Sequence, residues 1–211
     1  DVTKPDIWEQ RSYDLDPAAQ ATPVVVAIWD SGLDTAIAGL AGQLWRNKAE
    51  IPANNIDDDA NGFVDDVHGI AFDLHSNKET SLLYPIGELA DNVDLLQRQT
   101  KGLGDIQSNV DSQEASELRK QLAGLEQDQV KGFLESLGAY GNYIHGTHVA
   151  GIAAEGNPFV RLLVARITFS HTMIPEQPTI EQALADARAL RETVDYFQAN
   201  GVRAVNMSWG G

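Results

Sequence analysis

Three groups of residues in this chain have the types and spacing to do chemistry. The first is Asp30, which follows the apolar run Pro23 to Trp29 (PVVVAIW) directly and opens Asp30-Ser31-Gly32-Leu33-Asp34. Catalytic and binding groups of open α/β sheets gather at the carboxyl ends of strands, which is where this Asp stands. Taken alone, it reads equally well as a cap on the turn before Gly32. The second and more specific group is His145-Gly146-Thr147-His148-Val149-Ala150-Gly151, followed by further small residues. A histidine at the start of such a helix meets the positive end of the helix dipole. That end disfavours the imidazolium and keeps the ring neutral, the state a general base requires. Two other readings stay open: a core histidine satisfied by a backbone carbonyl, and a metal pair of His145 and His148. Against the pair, the helix-borne zinc motif puts Glu directly after the first His and spaces the two by four, whereas here Gly146 follows and the spacing is three.

The third group is the acidic run Asn54 to Asp66. Counted from Asp57, the residues Asp57, Asp59, Asn61 and Asp65 put oxygen donors at positions one, three, five and nine, with Gly62 at six and the Phe63 carbonyl at seven. This is the spacing by which one loop wraps a calcium ion. Position twelve is His68, so the loop is no EF-hand, and a closing ligand such as Asp66 has to come from elsewhere. Five carboxylates within ten residues repel one another unless a cation or solvent relieves them. A solvated acidic turn is the alternative.

These groups need a scaffold. Pro23 to Trp29, Val160 to Ile167 and Val202 to Met207 read as strands, the first apolar without alternation, as in a strand covered on both faces. Between the last two, Ile180, Ala183, Leu184, Ala187, Leu190, Val194 and Phe197 form one helical stripe, with Thr179 and Gln182 as a capping box and Gly201 as the stop. Strand, helix, strand is a βαβ unit, so the expected fold class is α/β with a parallel sheet. The stretch 73–138 differs: Leu118, Leu122, Leu125, Phe133 and Leu137 predict a helix over Asp111 to Leu137, capped by Asp111 and Glu114. The expected organisation is a sheet domain of residues 1–72 and 139–211 interrupted by a helical insertion, 73–138, that caps a site, binds a partner or is a passive elaboration.

Composition limits the partners. In 211 residues there are 15 Lys and Arg against 31 Asp and Glu, a net charge of −16, which argues against nucleic acid or an anionic membrane surface as a partner. The absence of Cys removes disulfides and thiolate chemistry. No apolar run is long enough for a membrane span. Asp1 cannot be a natural initiator, which suggests a processed or excised chain with any signal peptide already gone.

Three segments in order, VVVAIWDSGLDT around Asp30, HGTHVAGIAA around His145 and VNMSWGG ending at Gly211, make the chain resemble the subtilisin-like serine proteases, or subtilases. The resemblance implies a subtilisin-like parallel sheet with flanking helices, incomplete on its C-terminal side, with the helical insertion added. Asp30 would orient and support His145, which would take a proton from a serine nucleophile and return it to the leaving amine. Ser208, Trp209 and Gly210 would run beside a polypeptide substrate and form one wall of its primary specificity pocket. A structural Ca2+ and a secreted or periplasmic location are further implications.

The sequence also departs from the family. No serine lies in a Gly-Thr-Ser-x-Ala/Pro context, Ser208 matches the substrate strand rather than the nucleophile, and Asn206 does not stand where the oxyanion Asn would. The expected function is a serine endopeptidase working through an acyl-enzyme, with this chain inactive alone and the remaining C-terminal portion of the catalytic domain as a partner. The rivals are a non-catalytic binding or assembly module on the same scaffold, and a metal-dependent hydrolase using His145 and His148.

Overall fold

The computed structural model describes residues 14–209; positions 1–13 of the expected sheet domain, and Gly210 of the expected cleft wall, lie outside the described residues. Five strands form one sheet: β1 (Val24–Asp30), β2 (Gly69–Phe72), β3 (Lys78–Glu79), β4 (Val160–Ile167) and β5 (Val202–Asn206). Their order is β3-β2-β4-β1-β5, and all neighbours are parallel except β3, which pairs antiparallel with β2 at one edge. Lying one strand in from the edge, β1 is covered on both faces, and this accounts for its unbroken apolar run. Side chains alternate between faces along a strand. Ala27 and Trp29 therefore join Ile70, Leu163 and Ala165 in one core, while Ile28 joins Leu162 and Val164 in the other.

Four helices accompany the sheet: α1 (Val93–Gln107), α2 (Gln113–Ala123), α3 (Gln127–Ala154) and α4 (Ile180–Ala199). The sheet face carrying Trp29 is closed by Ala189, Tyr196 and Phe197 of α4, and the opposite face by Ala150 and Ala154 of α3. The segment 73–138 supplies β3, a short 3-10 turn (Gly87–Asn92), α1, α2 and the first part of α3.

Three local expectations need correction. The helix predicted over Asp111 to Leu137 is two helices separated near Gly124. The cap of α2 is Ser112, whose Oγ accepts from Ala115 N at 3.0 Å, rather than Asp111 with Glu114. The second correction is the start of the histidine helix. α3 opens at a capping box of Glu126 and Gln129 and runs unbroken for 28 residues, so His145 sits in its interior. The apolar period explains this: Phe133, Leu137, Tyr140 and Ile144 continue one stripe against Leu96 and Leu103 of α1, with no proline to end it. The third concerns α4, which is capped by Thr179 and stops before Gly201 as expected, yet turns most of its predicted stripe outward. Ile180 is 77% and Leu184 56% exposed, and Val194 also faces solvent, while Ala189, Thr193, Tyr196 and Phe197 are buried. The buried face is the less hydrophobic-looking one because Thr193 satisfies its hydroxyl on Ala189 O and Tyr196 on Asp66.

Candidate active site

Asp30 ends β1 and is almost wholly buried, at 1% exposure. Its Oδ1 accepts from Ser31 N at 2.7 Å and lies 2.7 Å from His145 Nδ1. A carboxylate oxygen accepts in this contact, so Nδ1 is the donor. The imidazole side chain is 48% exposed. A buried acid thus holds one edge of a ring whose other edge is open. His145 lies in the interior of α3, so the helix-end argument does not apply to it, and the Asp30 contact orients the ring through Nδ1.

Close backbone contact holds the pair together. A Cβ on Gly146 would lie 2.1 Å from the Gly32 carbonyl oxygen, so α3 crosses the end of β1 at a distance only glycine allows. Gly32 itself has φ of +128°, and its own Cβ would meet Leu82 O at 2.6 Å. Three further links surround this crossing. Ser31 Oγ donates to Asn142 O at 2.6 Å, Asp34 N donates to Thr147 Oγ1 at 3.0 Å, and Leu33 N donates to Leu82 O at 2.8 Å. Sequence reasoning missed Ser31 and Asn142; the signal for Ser31 was only its place after Asp30. It also missed Arg166, which sits beside Asp30 in the sheet register, is 3% exposed, and donates to Leu83 O at 3.0 Å. Burial pulls the Arg166 pKa below the ordinary guanidinium range.

Trp209 follows β5 and donates its indole N–H to Trp29 O. With Trp29, Phe72, Ile167, Phe169 and Leu190 it lines a cavity of about 330 Å³ on the α4 side of the sheet. Ser208 is exposed, and its Oγ donates to Asn206 Oδ1 at 2.8 Å. Among the described residues no serine hydroxyl is bonded to the His145 ring. His148, one turn further along α3, lines a separate open groove with Ile37, Thr147 and Ile152. Among the described residues no third metal-ligating side chain joins His145 and His148.

In the acidic loop, Asp57 accepts from Asn61 N and Gly62 N, and Asp65 from Asn54 N and Asn55 N. Asn61 Oδ1 accepts from Phe63 N. Of the expected set Asp57, Asp59, Asn61, Phe63 and Asp65, the side chains of Asp57, Asp59, Asn61 and Asp65 accept from backbone N–H groups that shape the loop. The carboxylates that converge are Glu50, Asp59 and Asp66, one oxygen of each lying within 4.8 Å of the others. Glu50, missed in the sequence because it precedes the Asp-rich run, is buried, and that burial pushes its carboxyl above the ordinary Glu range.

Comparison with known families agrees with this geometry. The model of the Subtilase family matches residues 21–211, so the chain belongs to that family. The match runs through the helical insertion, beyond the two stretches that carry the sequence motifs. No curated protein matches the chain significantly.

Proposed function

We propose that the chain is the Asp- and His-bearing part of a subtilisin-type serine endopeptidase. The observation that carries this reading is the 2.7 Å contact from the buried Asp30 to an otherwise open His145 ring, in a chain of the Subtilase family. Nε2 of His145 takes the proton of a serine hydroxyl as it attacks a peptide carbonyl. Asp30 stabilises the imidazolium that forms, and the proton then goes to the leaving amine as the acyl-enzyme appears. The polypeptide substrate lies along Ser208, Trp209 and Gly210, with an apolar side chain in the Trp209 cavity. Serine and oxyanion donor come from further polypeptide that completes the sheet beyond β5. The solvent-facing apolar residues Ile180, Leu184, Val194, Val205 and Met207 of α4, β5 and the residue after it support this, being a surface suited to cover.

A structural Ca2+ and a secreted location belong to the same reading. The family is typically extracellular, and no described helix is long and apolar enough to cross a membrane. The test compares this chain with a longer gene product carrying a Gly-Thr-Ser-x-Ala segment. The longer protein should cleave a generic protein substrate and react with a fluorophosphonate at that serine, and His145→Ala should abolish both. This chain alone should do neither. Robust cleavage by the 211-residue chain itself would overturn the proposal.

A further inference from the structure

The convergence of Glu50, Asp59 and Asp66 leaves a specific electrostatic problem. Glu50 is 4% and Asp66 2% exposed, while Asp59 faces solvent. The bonds around them are mostly neutral. Asn47 Nδ2 donates to Asp59 Oδ2 at 3.0 Å and to Asp66 Oδ1 at 2.9 Å, and Asp66 Oδ2 accepts from Asn61 Nδ2 at 2.9 Å and from the Tyr196 hydroxyl at 2.6 Å. Glu50 Oε1 accepts from Asp58 N at 2.9 Å. Glu50 Oε2 is buried and has no hydrogen-bond partner. Among the described residues no Lys, Arg or His forms an ion pair with any of the three. Two buried acidic groups beside a third at the surface, with one orphaned oxygen and no counter-charge, are costly unless a cation completes them.

We propose that Glu50, Asp59 and Asp66 bind one Ca2+, with Glu50 and Asp66 as the buried ligands and Asp59 at the solvent-facing entrance. The inference rests on the calcium part of the functional reading and replaces the ligand set of the linear loop. All donors are oxygens, which selects a hard cation, and no His or Cys is present to favour zinc. Calcium holds oxygens at about 2.3–2.6 Å, so donors on opposite sides of one ion stand roughly 5 Å apart. A trio within 4.8 Å fits that span with little movement. Water and backbone oxygens fill the other positions.

The ion's reach into the fold runs through Tyr196. Its hydroxyl is on Asp66, and its ring packs edge-on against Trp45 and Phe63, with centroids at 6.2 and 5.3 Å. Calcium would therefore clamp the acidic loop to α4 and to the core under Trp29. The same aromatics supply a direct reporter, since Trp45 and Tyr196 stand close enough to sensitise Tb3+ luminescence at the site.

The test is Tb3+ titration of the whole chain with Ca2+ competition, together with thermal melts with and without Ca2+. Wild type should give sensitised Tb3+ emission that Ca2+ displaces, and Ca2+ should raise its melting temperature. Glu50→Gln keeps the shape and the Oε1 acceptor but removes the charge, and should weaken Ca2+ binding by about 10–100-fold, the scale seen when a metal site loses one supporting group. It should also melt higher than wild type without metal, because a buried unpaired charge is gone; a purely structural acceptor role for Glu50 predicts the opposite. Asp59→Asn, at the exposed rim, serves if Glu50→Gln does not fold, and should lose affinity likewise. Asp57→Asn and Asp65→Asn should leave affinity within a few-fold. No binding by wild type, wild-type affinity in both Glu50→Gln and Asp59→Asn, or an equal loss in Asp57→Asn and Asp65→Asn would overturn the assignment. None of these outcomes involves peptide cleavage, so the peptidase reading stands or falls separately.

Discussion

Replacing Gly146 by alanine sets two effects of known sign against each other. In a helix interior, alanine is favoured over glycine by about 0.8–1.0 kcal/mol. At this position the new methyl would sit 2.1 Å from Gly32 O, where real Cβ atoms stay beyond 3.0 Å, so α3 and the end of β1 would have to part by about 0.9 Å. Both contacting groups are backbone, and neither can swing aside. Overpacking of that kind costs about 1–3 kcal/mol, which outweighs the propensity gain over most of its range. Gly151, five residues on in the same helix, is the internal control, since a Cβ there meets nothing within 4 Å. Urea unfolding should find Gly151→Ala more stable than wild type by up to about 1 kcal/mol and Gly146→Ala less stable by up to about 2 kcal/mol, a net of the two cited effects. Each kcal/mol corresponds to roughly 2–4 °C in melting temperature for a chain of this size. The displacement also pulls His145 from Asp30, and a misplacement of about 1 Å can cost on the order of 100-fold in rate in the complete peptidase. If Gly146→Ala stabilised the chain as Gly151→Ala does, the close crossing that positions His145 would be refuted.

Asp30→Asn should leave the fold intact but lose control of the His145 tautomer; nitrogen NMR of the ring should show it, and in the complete enzyme kcat should fall by about 10⁴-fold. Undiminished turnover would remove Asp30 from the triad. Tyr196→Phe deletes the hydroxyl that burial pushes first, and then the Asp66 bond, far above the ordinary tyrosine range, and should cost about 1.5–3 kcal/mol in urea, the scale of a hydrogen bond to a charged group. Asp73 accepts from His75 N, Asn77 N and Asn77 Nδ2; although burial acts to raise its pKa, these bonds hold it below the ordinary Asp value. Its contribution should be full above the unfolded pKa of about 3.9 and fade as pH falls through the lower folded value. Subtracting an Asp73→Asn acid melt from that of wild type should reveal this difference, and a gap that persisted at the acid end would contradict it.

The parallel sheet was legible in the sequence because it depends on local pattern, and the Asp30–His145 pair because three segments resemble the subtilases. A doubly covered strand reads as an unbroken apolar run, and small residues mark where a helix crosses a strand end. What misled was pattern without context. The α4 stripe of Ile180, Leu184 and Val194 predicts a buried face, yet periodicity says only that a helix has two faces; which one packs was decided by Tyr196 reaching Asp66 across 130 positions. The acidic loop depends on context in a related way. Regular spacing proposes ligands within one segment, whereas backbone N–H groups claim Asp57 and Asp65, and the third converging carboxylate, Glu50, comes from outside that segment. Side chains that satisfy a turn and side chains that face an ion have the same composition, and only three-dimensional accounting separates them.

The unbroken α3 changes what fixes the candidate base. A histidine at a helix N-terminus would owe its orientation to the last few residues of a loop, and its electrostatics to the helix end. Here the imidazole projects from the middle of a rod anchored on both sides. Upstream, Leu137 and Tyr140 pack with Leu96 of α1; downstream, Ala150 and Ala154 pack on the sheet; between them Asn142 receives Ser31, and Gly146 meets Gly32. The insertion therefore belongs to the structure that holds His145 against Asp30, because α1 braces the same helix that carries the base. Among the described acidic groups only Asp30 is bonded to the ring, and this makes Asp30→Asn the sharpest single probe of the site.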